Sequence, residues 1–474
     1  MRASPVSHII GRFLQVFAVV VAVPVVVAMH YGEATVQPFL FASAMAMVTG
    51  LFLTYFSNGE EPTTSEALYA TVTGWFIAIF IGAIPLLDYM TAIDAVFEST
   101  AGLTTTGISM FLAPEALPNS ILFWRAFMQW IGGLGILTFF IAVIRESGGI
   151  SRRLFSAETH KTDPGSIRPS LKKSIIELWR VYGFLTMLII GVYIGLGMSV
   201  FDSFAHAFSA ISTGGFSTVG ASLSAFSPQI QAATVIFMFV GGVNFVLLYR
   251  FLRADVKPLW KNSEFKLYTL IFLLVAGFMS IELLGKGLSP SSAVLDSTFA
   301  SASVLSSTGY STMSITSLSI ALQALFLGVM FVGGSVGSTA GGVKVFRLKA
   351  MVELVRTRLR DYSLPEAAVN KAKIDGEILS GSVVRTISVL FFVWISVIFA
   401  ATLVVLVVED VSFLAALSGT ISAAGNMGPV YMAGEKMVAL SPVTKSVWVV
   451  VMLAGRLEML PLLALFNKRI LKNK

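Results

Sequence analysis

Four short stretches combine hydroxyl groups with glycine in the middle of otherwise apolar sequence. They are Thr104-Thr105-Thr106-Gly107, Ser212-Thr213-Gly214-Gly215, Ser306-Ser307-Thr308-Gly309 and a divergent Gly425-Asn426-Met427-Gly428. Glycine permits backbone conformations that turn carbonyl oxygens to one side. Ser and Thr add hard oxygen ligands, and rings of such oxygens can replace the hydration shell of a cation. No carboxylate lies inside the four stretches, which favours a monovalent over a divalent ion. Non-helical backbone at membrane depth is tolerated only where protein buries it or a wet cavity faces it. Four copies therefore predict four sectors of one pore.

Three of the copies share a register. Asp94, Asp202 and Asp296 each stand 13 residues before Gly107, Gly215 and Gly309. The spacing predicts a short helix, N-capped by the Asp, that runs inward and ends at the loop. The negative end of its dipole then favours a cation at the membrane centre. The fourth copy breaks the register, because Asp410 is 18 residues before Gly428. Aligning Ser209-Ala210-Ile211 with Ser422-Ala423-Ala424 selects Gly428 over Gly425 as the equivalent glycine. The connectors around the loops hold Asp88, Asp94, Glu98, Glu115, Asp202, Asp296, Glu409 and Asp410, a set expected to concentrate cations.

The elements that hold these loops follow from composition. Of 474 residues, 55% are hydrophobic and 12% charged, with mean hydropathy +0.82. A soluble domain carries about twice that charged fraction, so the chain is a polytopic membrane protein. Cysteine is absent, which excludes disulfides, thiolate metal sites and thiol nucleophiles. His8, His30, His160 and His206 are scattered, and no paired acids mark a catalytic site, so no enzyme is expected. The apolar run at 9–29 is long enough to span and lacks a small-residue cleavage site, so it reads as a span and not a signal peptide.

Ten candidate spans lie at 9–29, 37–56, 67–87, 120–144, 175–198, 230–252, 266–286, 320–346, 383–408 and 442–466. The predicted fold is all-α: two leading transmembrane helices, then four M1–pore helix/loop–M2 repeats in pseudo-fourfold arrangement around one pore. The boundaries are 1–60 for the leading pair, then 61–150, 151–258, 259–362 and 363–474 for the repeats. Lys and Arg crowd the connections between repeats and the tail. Examples are Arg152, Arg153, Lys161 and Arg168, then Lys257 and Lys261, then Arg356, Arg358 and Arg360, then Lys468 and Arg469. The loop-bearing connectors carry few, Lys436 being the main exception. The loops thus enter from outside and both termini are cytoplasmic, which also accounts for the net charge of +7. Asn58-Gly59-Glu60-Glu61 has no basic residue, but acids count little in this rule.

The four loop motifs between paired spans resemble those of the Trk/Ktr/HKT superfamily of potassium uptake proteins. The two extra leading spans make the chain more similar to the TrkH/TrkG branch than to the shorter KtrB branch. The resemblance implies a channel-like subunit of the bacterial cytoplasmic (inner) membrane that passes K+, preferred over Na+, and forms a homodimer. It also implies a cytosolic nucleotide-binding TrkA-type regulatory subunit as partner. K+ is then the transported ion, with no covalently bound cofactor and no nucleic-acid partner. One aligned glycine per repeat predicts fewer ordered ion sites and weaker rejection of sodium than in a tetrameric potassium-channel filter.

Two features fall below the loops. Residues 333–342 include Gly333, Gly334, Gly337, Ser338, Thr339, Gly341 and Gly342. Each glycine lowers helix propensity by roughly 1 kcal/mol, so the span is expected to unwind there. The resemblance implies that this stretch is an intramembrane loop that blocks the cavity and moves to open it. Lys344 follows it and is expected either in the same cavity or at the cytoplasmic surface. Arg456 lies 11 residues from both Lys445 and Asn467, which places it mid-membrane. A central arginine costs about 2.5–3.5 kcal/mol on insertion scales and usually faces a cavity. It resembles the family's pore-facing arginine and is expected to act as a gate element. Gly132-Gly133 and Gly241-Gly242 predict close packing against neighbouring spans. Phe123, Trp124 and Trp130 predict an interfacial belt. The alternative function is a potassium–proton symporter with alternating access. The shared orientation of the repeats and the cationic midplane residue disfavour it.

Overall fold

The computed structural model describes residues 3–60, 62–146, 171–363, 365, 370–459 and 462. Helices dominate, with one hairpin of two-residue strands, Lys373–Ile374 and Glu377–Ile378. The predicted basic connection at 152–168 and the basic tail from Lys468 lie outside the described residues.

Helices α1 (Ala3–Tyr31) and α2 (Val36–Tyr55) form the leading antiparallel pair. Their backbones nearly touch: a Cβ added to Gly11 would lie 2.8 Å from the Gly50 carbonyl oxygen. Gln15 Nε2 donates across the same seam to Gly50 O (3.2 Å) and Thr54 Oγ1 (2.9 Å). The turn after α1 ties the pair to the rest. Glu33 accepts from the Asn119 and Ser120 backbone N–H groups at 2.6 and 2.9 Å, satisfying orphan donors at a helix start.

The order of a long helix, a short buried helix, a polar loop and a further helix then recurs along the chain. First come α3 (Thr64–Ala83), α4 (Ala92–Leu103) and α5 (Asn119–Glu146). A capping box between Thr63 and Glu66 starts α3. Next are α6 (Leu171–Gly195), α7 (Val200–Ile211), α8 (Pro228–Gly241) and α9 (Phe245–Leu252). They are followed by α10 (Ser263–Gly285), α11 (Pro290–Leu305), α12 (Ile320–Val332) and α13 (Val345–Asp361). The last are α14 (Gly381–Val408), α15 (Phe413–Gly425) and α16 (Pro442–Arg456). Among the described residues, six helices are long and apolar enough to cross a membrane, or seven if α8 and α9 count as one bent span.

Three expected spans are not continuous helices: the one at 320–346 breaks at the glycines where the sequence predicts it, and the other two are revised. The span at 230–252 is bent by 111° between α8 and α9. Asn244 caps α9 by accepting from Val246 N at 2.8 Å, and the freed Gly242 carbonyl accepts from Ser335 N at 2.9 Å. The span at 320–346 stops at Val332, where Gly333 takes φ +72°. In the expected span at 442–466 the helix that starts at Pro442 ends at Arg456, where Glu458 and Met459 turn left-handed (φ +63° and +58°). Arg456 therefore sits at a helix end and not in a helix centre.

The expected caps also shift. Thr91 and Ser199 are the N-caps of α4 and α7, while Asp94 and Asp202 occupy the third helical position and accept from those hydroxyls at 2.7 Å. Ser289 caps α11, placing Asp296 well inside the helix. Ser412 caps α15, and it stands 16 residues before Gly428, as Thr91 and Ser199 stand before Gly107 and Gly215. The fourth copy thus keeps the register through its hydroxyl cap. Trp124 is not interfacial: it is fully buried and donates to Gly82 O at 3.0 Å.

Candidate functional site

Short helices α4, α7, α11 and α15 end at or just before the four hydroxyl-glycine stretches, and so direct their carbonyl ends at them. Each loop has two left-handed residues, spaced by two. They are Thr105 and Gly107 (φ +56° and +76°), Thr213 and Gly215 (+54°, +81°), Ser307 and Gly309 (+59°, +84°), and Asn426 and Gly428 (+51°, +97°). The common pattern aligns Gly428 with the other three glycines and gives Asn426 the place of the Thr or Ser. Asn tolerates left-handed backbone better than most residues.

The loops meet in cyclic order. A Cβ on Gly107 would fall on Gly214 O, one on Gly215 on Thr308 O, and one on Gly309 on Met427 O at 2.5 Å. The circle closes at Gly428, whose Cβ would lie 3.2 Å from Thr106 O. Any side chain at Gly107, Gly215 or Gly309 would strike the backbone of the next loop. Thr104, Thr105, Thr106, Ser212, Thr213, Ser306, Ser307 and Thr308 are buried. Thr104 and Thr106 share a hydroxyl hydrogen bond of 2.7 Å, and Ser306 and Thr308 one of 2.6 Å.

The second and fourth loops use side chains that sequence reasoning missed or underrated. Gly214 has no hydroxyl, and Gln129 of α5 fills the space, donating to Gly214 O at 2.7 Å and accepting from Phe216 N at 3.1 Å. Asn426 donates to Thr106 Oγ1 (2.8 Å) and Met452 O (2.9 Å). Gly425 keeps its carbonyl for another partner, Gly342 N at 3.0 Å.

That partner belongs to residues 333–344, a loop packed against all the polar stretches but the first. Thr339 Oγ1 donates toward Ile211 O (3.0 Å) or Gly241 O (3.1 Å), and Thr213 Oγ1 donates to Thr339 at 3.3 Å. Gly341 N donates to Ser307 Oγ at 2.7 Å, and Gly341 has no room for a Cβ against Gly425 O. Gly333, Gly337 and Gly342 have φ of +72°, +73° and +82°, and Gly334 lies against Ala340. Ser338 Oγ donates to Ser335 O at 2.6 Å. Lys344 (φ +81°) is buried and donates from Nζ to Ala340 O. Arg456 completes the enclosure, donating to Thr339 O at 2.9 Å and Gly132 O at 2.7 Å. Glu458 turns away and pairs with Arg347 at 2.5 Å.

Glu264, near the start of α10, was not singled out in the sequence. Its Oε1 accepts from Val336 N (2.7 Å) and Phe346 N (3.1 Å), one donor from each end of the loop. The double glycines pack closely: Gly132 meets Leu103 O, and Gly133 and Gly242 lie between the Tyr182 and Tyr268 hydroxyls of neighbouring spans and Ser212 and Ser306.

Most of the outer acids have structural partners. Glu98 pairs with Arg125, Asp94 with Lys445, Asp202 with Thr218, Asp296 with Thr312, Glu115 with Gly220 N and Glu409 with Ser441 and Thr444. Asp88 and Asp410 are exposed. Among the described residues, no group of three or more His, Asp or Glu could hold a metal ion.

Apolar helices of membrane length around buried polar loops of left-handed backbone define the class of multi-pass membrane transport proteins. The chain belongs to the TrkH family of cation transport proteins, whose profile matches residues 34–473. An uncharacterized cation transporter of Methanocaldococcus jannaschii is 30% identical over 468 residues, covering 97% of this chain and 94% of the relative. The Trk system potassium uptake protein TrkH of Vibrio parahaemolyticus is 30% identical over 490 residues, covering 98% and 99%. The crystal structure of the potassium transporter TrkH from that organism superposes with a TM-score of 0.88 at 29% identity, over 99% of this chain and all of the other. These relatives are named as transporters, in agreement with the non-enzymatic reading.

Proposed function

We propose that this chain is the potassium-translocating subunit of a Trk-type uptake system. In this reading the four loops are the quarters of a selectivity filter with one glycine each, arranged with pseudo-fourfold symmetry in four M1–pore helix/loop–M2 repeats. The observation that carries it is the closed circle of neighbours from Gly107 to Gly215, Gly309, Gly428 and back. Carbonyl oxygens next to each glycine supply hard, uncharged ligands suited to a monovalent cation. The carbonyl ends of four short helices add a favourable field.

Residues 333–344 and Arg456 form the gate. The loop lies against the second, third and fourth filter quarters, and the guanidinium holds it in place while opposing a cation electrostatically. Conduction requires both to move. The protein sits in the cytoplasmic membrane with both termini inside, works as a homodimer, and takes its opening signal from a cytosolic TrkA-type nucleotide-binding subunit. The names of the relatives support the potassium and Trk assignments.

The test is rubidium and sodium flux into liposomes holding the purified protein. Gly107→Ser is expected to lower the K/Na preference, since its side chain would strike the second loop. Unchanged flux and preference in a folded Gly107→Ser protein would remove the filter assignment. Strict dependence of flux on a proton gradient would favour the symporter reading.

A further inference from the structure

A buried charge pair joins the outer ends of the first two loops. Arg125 on α5 and Glu98 on α4 have side chains 2% and 0% exposed, with Nε to Oε1 at 2.8 Å. Glu98 also accepts from Ser109 Oγ (3.0 Å) and Met110 N (2.7 Å), two and three residues past Gly107. Arg125 donates from Nη2 to Ser109 Oγ (3.0 Å) and from Nη1 to Ser217 O (3.2 Å), two residues past Gly215. Its guanidinium lies 4.3 Å from the ring centre of Phe216, the residue directly after Gly215.

The second loop answers from its own side. His206 stands nine residues before Gly215, as Glu98 stands nine before Gly107. Its Nε2 lies 3.0 Å from Ser217 Oγ, so Ser217 is held at both its carbonyl and its hydroxyl. The matching positions before Gly309 and Gly428 are Ala300 and Gly419, which carry no polar side chain. Arg125–Glu98 is thus a buried ionic tie between the first two loops that the matching positions of the third and fourth do not repeat.

We propose that Arg125 and Glu98 act as a strut that fixes the separation of the first two filter quarters and so sets the preference for potassium over sodium. They are positioning residues, acting through Met110 N, Ser109 and Ser217 O on the residues that follow Gly107 and Gly215. This inference rests on the reading of the loops as a filter. Removing two charges from water costs several kcal/mol per ion, and well-packed apolar residues often serve stability as well or better. What apolar residues cannot do is direct hydrogen bonds to a named N–H and a named carbonyl on two different loops. The planar fork of Arg fixes such directions, where Lys presents a flexible point charge. Sodium is smaller than potassium, and loops free to close inward would coordinate it better.

The experiment measures the K/Na flux ratio in liposomes for Arg125→Lys, Glu98→Gln and the double variant Arg125→Met with Glu98→Leu, with Gly107→Ser alongside. The double variant leaves no unpaired buried charge and is expected to fold, which a monodisperse elution profile and a thermal transition check. Its K/Na ratio is expected to fall about tenfold, with Arg125→Lys and Glu98→Gln moving the same way. A wild-type ratio in the folded double variant overturns the strut. A wild-type ratio in Arg125→Lys, with the double variant lowered, also overturns it, because charge and not geometry would then be at work. An unchanged ratio in Gly107→Ser strikes the filter reading itself, independently of the strut.

Discussion

Arg456 donates a 2.9 Å hydrogen bond to the carbonyl oxygen of Thr339, in the loop that packs against the second, third and fourth polar stretches. Its second amino group reaches Gly132 O on α5 at 2.7 Å, so one side chain bridges elements 324 residues apart in sequence. Hydrogen bonds from a charged donor contribute about 1.5–3 kcal/mol each. Arg456→Ala should therefore favour the open loop and raise rubidium flux by roughly tenfold in liposomes without any regulator. Arg456→Lys, which cannot reach both carbonyls with a planar fork, should fall in between. Flux in Arg456→Ala at or below wild type would refute the restraining role.

Glu264 holds the same loop from behind, through Val336 N and Phe346 N. Glu264→Ala would strand two buried N–H donors, each worth about 1–3 kcal/mol when unsatisfied. Basal flux should rise, with the K/Na ratio unchanged, because the loop at 333–344 and not the four hydroxyl-glycine stretches is loosened. Glu264→Gln keeps one acceptor oxygen and should have a smaller effect. The same flux assay decides, and a shift in ion preference would tie Glu264 to the filter instead.

Lys445 and Asp94 form a buried pair at 2.5 Å between α16 and α4, the last and first elements that border the loops. Asp94→Asn leaves a buried ammonium without its counter-charge, at a cost of about 3 kcal/mol. The midpoint of thermal inactivation in detergent should drop. A second change, Lys445→Met, should recover most of the loss. A midpoint that stays put in Asp94→Asn would mean the pair is bystander chemistry.

Glu409, just past α14, caps the start of α16 by accepting from Ser441 N and Thr444 Oγ1 at 2.8 and 2.6 Å. Burial pushes its carboxyl up, but these hydrogen bonds and the nearby Lys445 charge outweigh it and hold the pKa below the ordinary value. A depressed pKa gives a contribution that is complete above the unfolded value, about 4.3, and is lost as pH falls through the folded one. Thermal stability should therefore decline below about pH 4, with a flatter decline in Glu409→Gln. Identical acid profiles for the two proteins would contradict this capping role.

The polar stretches were legible because left-handed backbone restricts residue choice. Glycine at 107, 215, 309 and 428 is demanded by φ between +76° and +97° and by the next loop's backbone, so it survives as a pattern. The starts of α4 and α7 lie three residues earlier than the aspartates suggest and that of α11 seven, since Thr91, Ser199 and Ser289 are as good caps as the aspartates that follow them. The break at 242–244 was hidden because Gly241-Gly242 also reads as close packing. Glu264 and Arg125 were missed for a shared reason. A single charge near a span end looks like an interfacial anchor until distant backbone is seen to converge on it, and sequence spacing carries no trace of partners 72 or 92 residues away.

Asn426 reaches Thr106 across 320 residues, and this contact joins the last loop to the first. A chain emerging from the ribosome makes its first three loops long before the fourth exists. Until residue 426 is inserted, Thr106 lacks its Asn426 partner and the circle stays open on one side. Completion of the assembly is thus coupled to completion of synthesis: a chain cut short between Gly309 and Gly425 holds three loops with nothing to close against.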